Sequence, residues 1–126
     1  MKEIFLVAVG GGLGAVVRYQ IGLWMLAASQ SARFPLGTLV VNVLGCLAVG
    51  LVWAWTDRMS VWSEELRLAL MIGLFGGFTT FSAFGLETVL MIKRGALGLA
   101  GIYVAASLLL GGLSVWAGIW VANLRA

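Results

Sequence analysis

The residues best able to do chemistry are concentrated in one stretch, residues 76–84, which reads GGFTTFSAF. Two glycines weaken a helix at this point, and threonine hydroxyls can bond the backbone groups that a break releases. Freed carbonyl oxygens coordinate cations in the broken helices of membrane transporters. The stretch therefore predicts an ion site within an interrupted hydrophobic helix.

Phe81 and Phe84 lie three residues apart in the same stretch, so they share one face of a helix. Packing against neighbouring helices accounts for most such pairs. The edge of the ring is electropositive, however, and can contact a small anion without trapping it as a full positive charge would. Because conduction requires binding that is favourable yet weak, the pair is also a candidate selectivity element.

Asn42 and Thr38 place hydrogen-bonding groups on one face of a second hydrophobic segment, four residues apart. The Asn42 amide carries two N–H donors and needs partners in lipid. A hydrogen bond to another helix is its ordinary use, and donation to an anion is the functional alternative. Tyr103 and Ser107 show the same spacing in the last hydrophobic segment.

Arg18 and Glu87 are charged residues inside hydrophobic segments. An arginine at the bilayer centre costs about 2.5–3.5 kcal/mol on insertion scales. Arg18 can extend to the membrane surface, or it can attract anions at a water-filled vestibule. Glu87 is a candidate functional acid, and ion pairing with Arg18, Lys93 or Arg94 is the alternative.

The residue types that most catalysis needs are missing. The chain has no histidine, which removes the commonest general base and zinc ligand. Its one cysteine, Cys46, lies in an apolar run without neighbours at metal-ligand spacing. The eight Lys and Arg residues are scattered and form no basic stripe. An enzyme and a nucleic-acid-binding protein are therefore disfavoured.

The elements that must position these residues are membrane helices. Hydrophobic residues make up 62% of the 126-residue chain and charged residues 10%, whereas soluble domains have about 25% charged residues. A spanning helix needs about 20 apolar residues. We expect an all-α membrane protein, a single integral membrane domain over residues 1–126, with four transmembrane helices at approximately 4–28, 36–56, 67–91 and 96–122. We also expect a break in the third helix, with Ser63 as its N-terminal cap.

Positively charged residues divide evenly between the two sides of the membrane. The side of the termini carries Lys2, Arg58, Arg67 and Arg125, and the other carries Arg33, Lys93, Arg94 and Arg18. This balance sets no orientation under the positive-inside rule. It is either accidental or typical of a chain that inserts both ways, and two opposed copies could then pair about a two-fold axis in the membrane plane.

Two pairs of glycines recur at four-residue spacing, Gly10 with Gly14 and Gly73 with Gly77. Small residues at this spacing let membrane helices approach closely. The pattern leaves two interpretations open, close packing within one subunit and a seam between subunits.

Three segments together resemble the fluoride ion channels known as Fluc or CrcB, and the resemblance covers essentially the whole chain. GGGLGAVVRY is similar to the first-helix motif of that family, and PLGTLVVNVLG is similar to the second. GLFGGFTTFSAFGLET resembles the third-helix signature and is the most specific of the three. In the fourth helix only Tyr103 and Ser107 match the family pattern.

The resemblance implies an antiparallel, dual-topology homodimer with two pores and a structural sodium ion (Na+) at its centre. It implies passive fluoride export across the bacterial plasma membrane, which protects the cell from fluoride that enters as HF. The residues it implies for the fluoride pore are Phe81, Phe84, Asn42, Tyr103, Ser107, Thr38 and Ser82. The backbone carbonyls of Gly76 and Thr79 would hold the sodium ion, and Arg18 and Glu87 would lie at a vestibule or gateway.

Two other functions compete with a channel. A small four-helix drug/proton antiporter of dual topology needs a carboxylate deep in its first helix, where this chain has Arg18. An accessory membrane subunit without transport would not need the polar stripes on the second and fourth helices.

Overall fold

The computed structural model describes residues 1–28, 33–58 and 62–124, and it is all-helical over these ranges apart from short connections. The elements are α1 (Lys2–Ala28), α2 (Leu36–Arg58), α3 (Glu64–Leu68), a π-helical segment (Ala69–Leu74), α4 (Phe75–Phe78), α5 (Phe81–Lys93) and α6 (Leu97–Leu124). Within the described ranges, four helical segments are long and apolar enough to cross a membrane, and Glu64–Lys93 counts as one of them. The prediction of an all-α, four-span architecture is confirmed.

The helix boundaries agree with the sequence pattern to within a few residues. The third span begins at Glu64 rather than residue 67, because Ser63 caps it. The Ser63 hydroxyl accepts a hydrogen bond from the Leu66 amide at 3.3 Å, and two glutamates follow in the first turn. The predicted cap is therefore confirmed. Arg125, one of the cations counted for orientation, lies outside the described residues.

The backbone of the third span becomes extended at two threonines. Thr79 has φ −82° and ψ 159°, and Thr80 has φ −148° and ψ 115°. Gly76 and Gly77, by contrast, lie inside α4. The extended residues are thus the two that have hydroxyls to bond nearby backbone. Thr79 Oγ1 donates to the Phe75 carbonyl at 2.9 Å, and Thr80 Oγ1 accepts from the Ala83 amide at 3.2 Å, which caps α5.

Glycines bring α1 against the third span with almost no space between the backbones. A Cβ atom at Gly10 would lie 2.6 Å from the Ala69 carbonyl oxygen, and one at Gly14 would overlap the Leu74 carbonyl oxygen. A Cβ atom at Gly77 would overlap the backbone of Gly11. The paired glycine motifs therefore serve close packing within one subunit, which was one of the two interpretations that the sequence left open.

A second glycine contact joins α2 to α6. Cβ atoms at Gly50 and Gly118 would overlap the carbonyl oxygens of Val115 and Leu47, respectively. At the end of α5 the chain turns sharply through Gly95, whose φ of 78° suits glycine best. This turn makes α5 and α6 consecutive antiparallel helices, which brings their facing side chains together.

Candidate functional site

Asn42 of α2 is bound at two points to the extended residue Thr80. Its Nδ2 atom donates to the Thr80 carbonyl oxygen at 3.0 Å, and the Thr80 amide donates to its Oδ1 atom at 2.8 Å. The Thr80 N–H can only donate, so this pairing fixes the orientation of the Asn42 amide. One of the two N–H groups on Nδ2 remains for another acceptor.

The carbonyls of Gly76 and Thr79 have lost the donors that a continuous helix would give them. Each helical N–H donates four residues back, so Thr80 would donate to Gly76 and Ala83 to Thr79. Here the Thr80 amide donates to Asn42, and the Ala83 amide donates to the Thr80 hydroxyl. Two carbonyl oxygens within one turn are consequently available to other partners.

Arg18 of α1 binds close to the interruption of the third span, which is the extended pair Thr79 and Thr80. It does so from a different helix than Asn42. Its Nε atom donates to the Gly77 carbonyl oxygen at 3.2 Å, in a partly buried position. The guanidinium is therefore held against α4 instead of extending freely to the membrane surface. Arg18 also lines a cleft of about 250 Å³ together with Thr38 and Thr80.

Phe81 follows the interruption and is 80% exposed. It lines a cleft of about 270 Å³ with Asn42, Thr79 and Thr80, and with Cys46 one turn beyond Asn42. An exposed aromatic ring beside a free amide N–H provides two weak donors to an anion, the ring edge and the amide.

Three aromatic rings continue from this cleft towards α6. The Phe81 and Phe84 ring centroids are 5.5 Å apart with planes tilted by 41°, and those of Phe84 and Tyr103 are 5.2 Å apart, tilted by 48°. Phe34 packs edge-on against Tyr103 at 5.5 Å. The exposed fraction falls from 80% at Phe81 to 0% at Tyr103, so the row leads from the protein surface into its core.

The Glu87 carboxylate joins three of the membrane segments. The Tyr103 hydroxyl donates to its Oε2 atom at 2.7 Å, and the Thr38 hydroxyl donates to its Oε1 atom at 2.7 Å. These partners differ from the cations that the sequence offered as alternatives. Hydrogen bonds to a charged group are short and strong, so Glu87 holds both hydroxyls in fixed orientations.

A cleft of about 400 Å³ connects this carboxylate to the membrane boundary. Thr38 and Glu87 lie along its wall, and Arg33 and Arg94 lie where the helices end. The carboxylate is thus reached from the side of the membrane that carries the connections α1–α2 and α5–α6.

A family model described as "CrcB-like protein, Camphor Resistance (CrcB)" matches residues 5–119. The chain belongs to the CrcB family. The match extends over all four membrane segments, so it includes both the interruption at Thr79 and Thr80 and the Glu87 cluster.

Curated CrcB relatives match nearly the whole chain. A protein of Novosphingobium aromaticivorans is 48% identical over 126 residues, covering 94% of this chain and 99% of the relative. One of Methylobacillus flagellatus is 40% identical over 118 residues (94% and 92%), and one of Phocaeicola vulgatus is 39% identical over 123 residues (98% and 100%). Each is named "Fluoride-specific ion channel FluC".

The residues singled out by their types form two groups in this CrcB-family structure. Asn42 and Phe81 meet at the interruption, together with Thr79. Thr38 meets Tyr103 at Glu87, and the Phe84 ring lies between the two groups.

The two serines lie at the edges of these groups. Ser82 is exposed and approaches the Thr80 hydroxyl at 3.3 Å. Ser107 is partly exposed, one turn beyond Tyr103 on α6. Within the part of the chain that the structure describes, neither serine takes part in the hydrogen bonds that join the helices.

Sequence reasoning missed three parts of the site. It did not find Phe34 as a partner of Tyr103, the Gly77 carbonyl as the acceptor of Arg18, or Thr80 as the residue that Asn42 binds. Phe34 carries one signal, an aromatic residue directly before Pro35, the residue that precedes α2. The other two contacts leave no local pattern, since they join residues 59 and 38 positions apart.

Proposed function

We propose that the chain is a fluoride-selective ion channel that exports fluoride passively from the bacterial cytoplasm. The names of its relatives in the CrcB family support this function, and they describe a channel rather than an enzyme. The observation that carries the proposal is the cleft at the interruption. There a spare N–H of Asn42 and the exposed ring of Phe81 face one space of about 270 Å³.

The proposed path follows the aromatic row. Fluoride would meet Asn42 and the edges of Phe81 and Phe84, and then the hydroxyl groups around Tyr103 and Thr38. Ser82 and Ser107 border this path and would add donors to it. Fluoride is small and strongly hydrated, so compact donors are needed to replace its water.

Glu87 imposes a condition on this path. Each hydroxyl has one proton, and those of Thr38 and Tyr103 are both given to the Glu87 carboxylate. A fluoride ion could accept them only in place of Glu87. We propose that Glu87 lies at the gateway of the path and keeps both hydroxyls aligned, while Arg18 lies at a neighbouring vestibule.

The active form would be an antiparallel homodimer of dual topology with two pores. The even division of cations along the sequence supports insertion in both orientations. The surface at Gly76 supports a close approach of a second copy, because a Cβ atom there would meet nothing within 4 Å. The protein would lie in the bacterial plasma (inner) membrane as a single multi-pass domain over residues 1–126.

The residues at the interruption fit the structural sodium ion that such a dimer implies. The carbonyls of Gly76 and Thr79 lack their helical donors, and two copies would supply four such oxygens. Among the described residues no group of three or more His, Cys, Asp or Glu side chains could hold a metal, so carbonyl ligands are the donor set available. A cation held there would neutralise the carbonyl dipoles and fasten the two copies together.

The alternative function is that of a small four-helix drug/proton antiporter. Its chemistry needs an acid within the first membrane helix, and the acid in α1 is Glu3, in the first turn. Glu87 is held by two hydroxyl donors from α2 and α6, an arrangement that orients it for small donors rather than opening it to a bulky organic cation.

Growth in fluoride tests the proposed function in cells. A bacterium that lacks its own fluoride exporter should regain growth in millimolar fluoride when it expresses this chain. The same cells should gain no resistance to cationic drugs. Resistance to drugs without resistance to fluoride would contradict the channel and favour the antiporter.

A further inference from the structure

The carbonyl groups around the interruption differ in their hydrogen-bond partners. The Gly77 carbonyl binds Arg18, and the Thr80 carbonyl binds Asn42. Those of Gly76 and Thr79 are the two whose helical donors have been redirected within the chain. The Thr80 hydroxyl itself frees the Thr79 carbonyl, whereas side chains from α1 and α2 set the states of the Gly76, Gly77 and Thr80 carbonyls.

We infer that Arg18 and Asn42 are positioning residues that determine which carbonyl oxygens are free to hold the central cation. This inference rests on the cation site of the proposed function. Neither side chain touches the cation in this account. Each acts by occupying a neighbouring backbone group and so fixing the conformation of the interruption.

Asn42 keeps the helix open. Its Oδ1 atom takes the Thr80 amide, which would otherwise donate to Gly76 and close the helix. Because its Nδ2 atom also binds the Thr80 carbonyl, the amide fixes one residue at two points. An apolar side chain of similar size would let the Thr80 amide return to Gly76.

Arg18 acts as a hydrogen-bond donor rather than as a charge. A guanidinium beside a cation site repels the cation, so attraction does not explain its place. Its Nε atom instead removes the Gly77 carbonyl from the set of free oxygens. Glutamine has an N–H donor at the side-chain position of Nε, whereas methionine has a methyl group there.

The test compares Arg18→Gln with Arg18→Met, which lose the same charge and differ in the donor. The readout is the sodium-dependent rise in the thermal unfolding temperature of the purified protein, measured against N-methylglucamine at constant ionic strength. Wild type and Arg18→Gln should show the rise. Arg18→Met should need on the order of tenfold more sodium for the same rise, since it lacks the hydrogen bond to the Gly77 carbonyl that Arg18→Gln can still donate. Arg67→Met, at an exposed position, is the control and should match wild type.

Asn42→Leu provides an independent arm, in which the sodium-dependent rise should disappear while helix content stays unchanged. Equal sodium dependence in Arg18→Gln and Arg18→Met would overturn the role of Arg18, whether or not Asn42→Leu folds. A sodium-dependent rise in unfolding temperature as large in Asn42→Leu as in wild type would overturn the role of Asn42. Fluoride efflux from liposomes is measured alongside: efflux without any sodium dependence contradicts this inference alone, and absence of efflux contradicts the proposed function.

Discussion

Asn42 and Thr80, which are 38 positions apart in the chain, exchange two hydrogen bonds of 3.0 and 2.8 Å inside the membrane. Thr80 is extended, so its backbone N–H and carbonyl would lack partners in lipid if the Asn42 amide did not supply them. One side chain therefore makes a non-helical backbone tolerable at this depth. The same side chain retains one N–H, which is the donor that we assign to fluoride.

Replacing Phe81 by isoleucine should cut fluoride efflux by at least tenfold, because the electropositive ring edge is lost. The measurement is efflux from proteoliposomes, with dimer content checked by cross-linking. Phe5→Ile is the matched control, since Phe5 is also exposed but lies at the start of α1. Equal efflux in the two variants would show that Phe81 serves packing and not fluoride passage.

Replacing Tyr103 by phenylalanine should lower fluoride efflux by roughly tenfold and the free energy of unfolding by about 1–3 kcal/mol. The ring stays in its stack, and the Glu87 carboxylate loses one of its two hydroxyl donors. Efflux and thermal unfolding are both measured. Tyr19→Phe is the control at an exposed position on α1 and should change neither quantity. Unchanged efflux and unfolding in Tyr103→Phe would show that the hydrogen bond to Glu87 contributes to neither transport nor stability.

Replacing Gly14 by alanine should destabilise the protein by about 1–3 kcal/mol, because the added methyl overlaps the Leu74 carbonyl and forces α1 away from the third span. Gly12→Ala is the control, since a Cβ atom there meets nothing within 4 Å. Thermal unfolding followed by tryptophan fluorescence distinguishes the two. Equal unfolding temperatures would contradict the close contact of these helices.

A tag at the C-terminus should be accessible from both sides of the membrane in comparable amounts. The even distribution of cations is the physical reason, since neither orientation is favoured during insertion. Labelling of intact and permeabilised cells with an impermeant reagent measures the two fractions. A tag found on one side only would refute dual topology and, with it, the antiparallel dimer.

The sequence predicts what depends on local pattern. Hydrophobic run length fixed the four spans to within a few residues, and Ser63 before two glutamates predicted the cap. The two extended residues were harder to place, because the glycine pair is the stronger sign of a break. The structure shows the glycines inside α4, where Gly77 allows α1 to approach, and the extended backbone at Thr79 and Thr80.

The contacts between helices could not be predicted from one sequence. Glu87 had three candidate cations within reach by position, yet it binds the hydroxyls of Thr38 and Tyr103. Which residues face each other depends on the rotation of each helix about its axis, and apolar helices carry little polar pattern to reveal that rotation. The family resemblance singled out Thr38, Tyr103 and Glu87, but not the hydrogen bonds between them.

Fluoride efflux from liposomes tests the central claim most directly. Purified protein is reconstituted in liposomes loaded with potassium fluoride, and a potassium ionophore is added to allow charge balance while an electrode records external fluoride. We predict rapid fluoride release that needs no pH gradient, and retention of chloride in parallel vesicles. Fluoride retained under these conditions would contradict a channel, and equal release of chloride would contradict its selectivity.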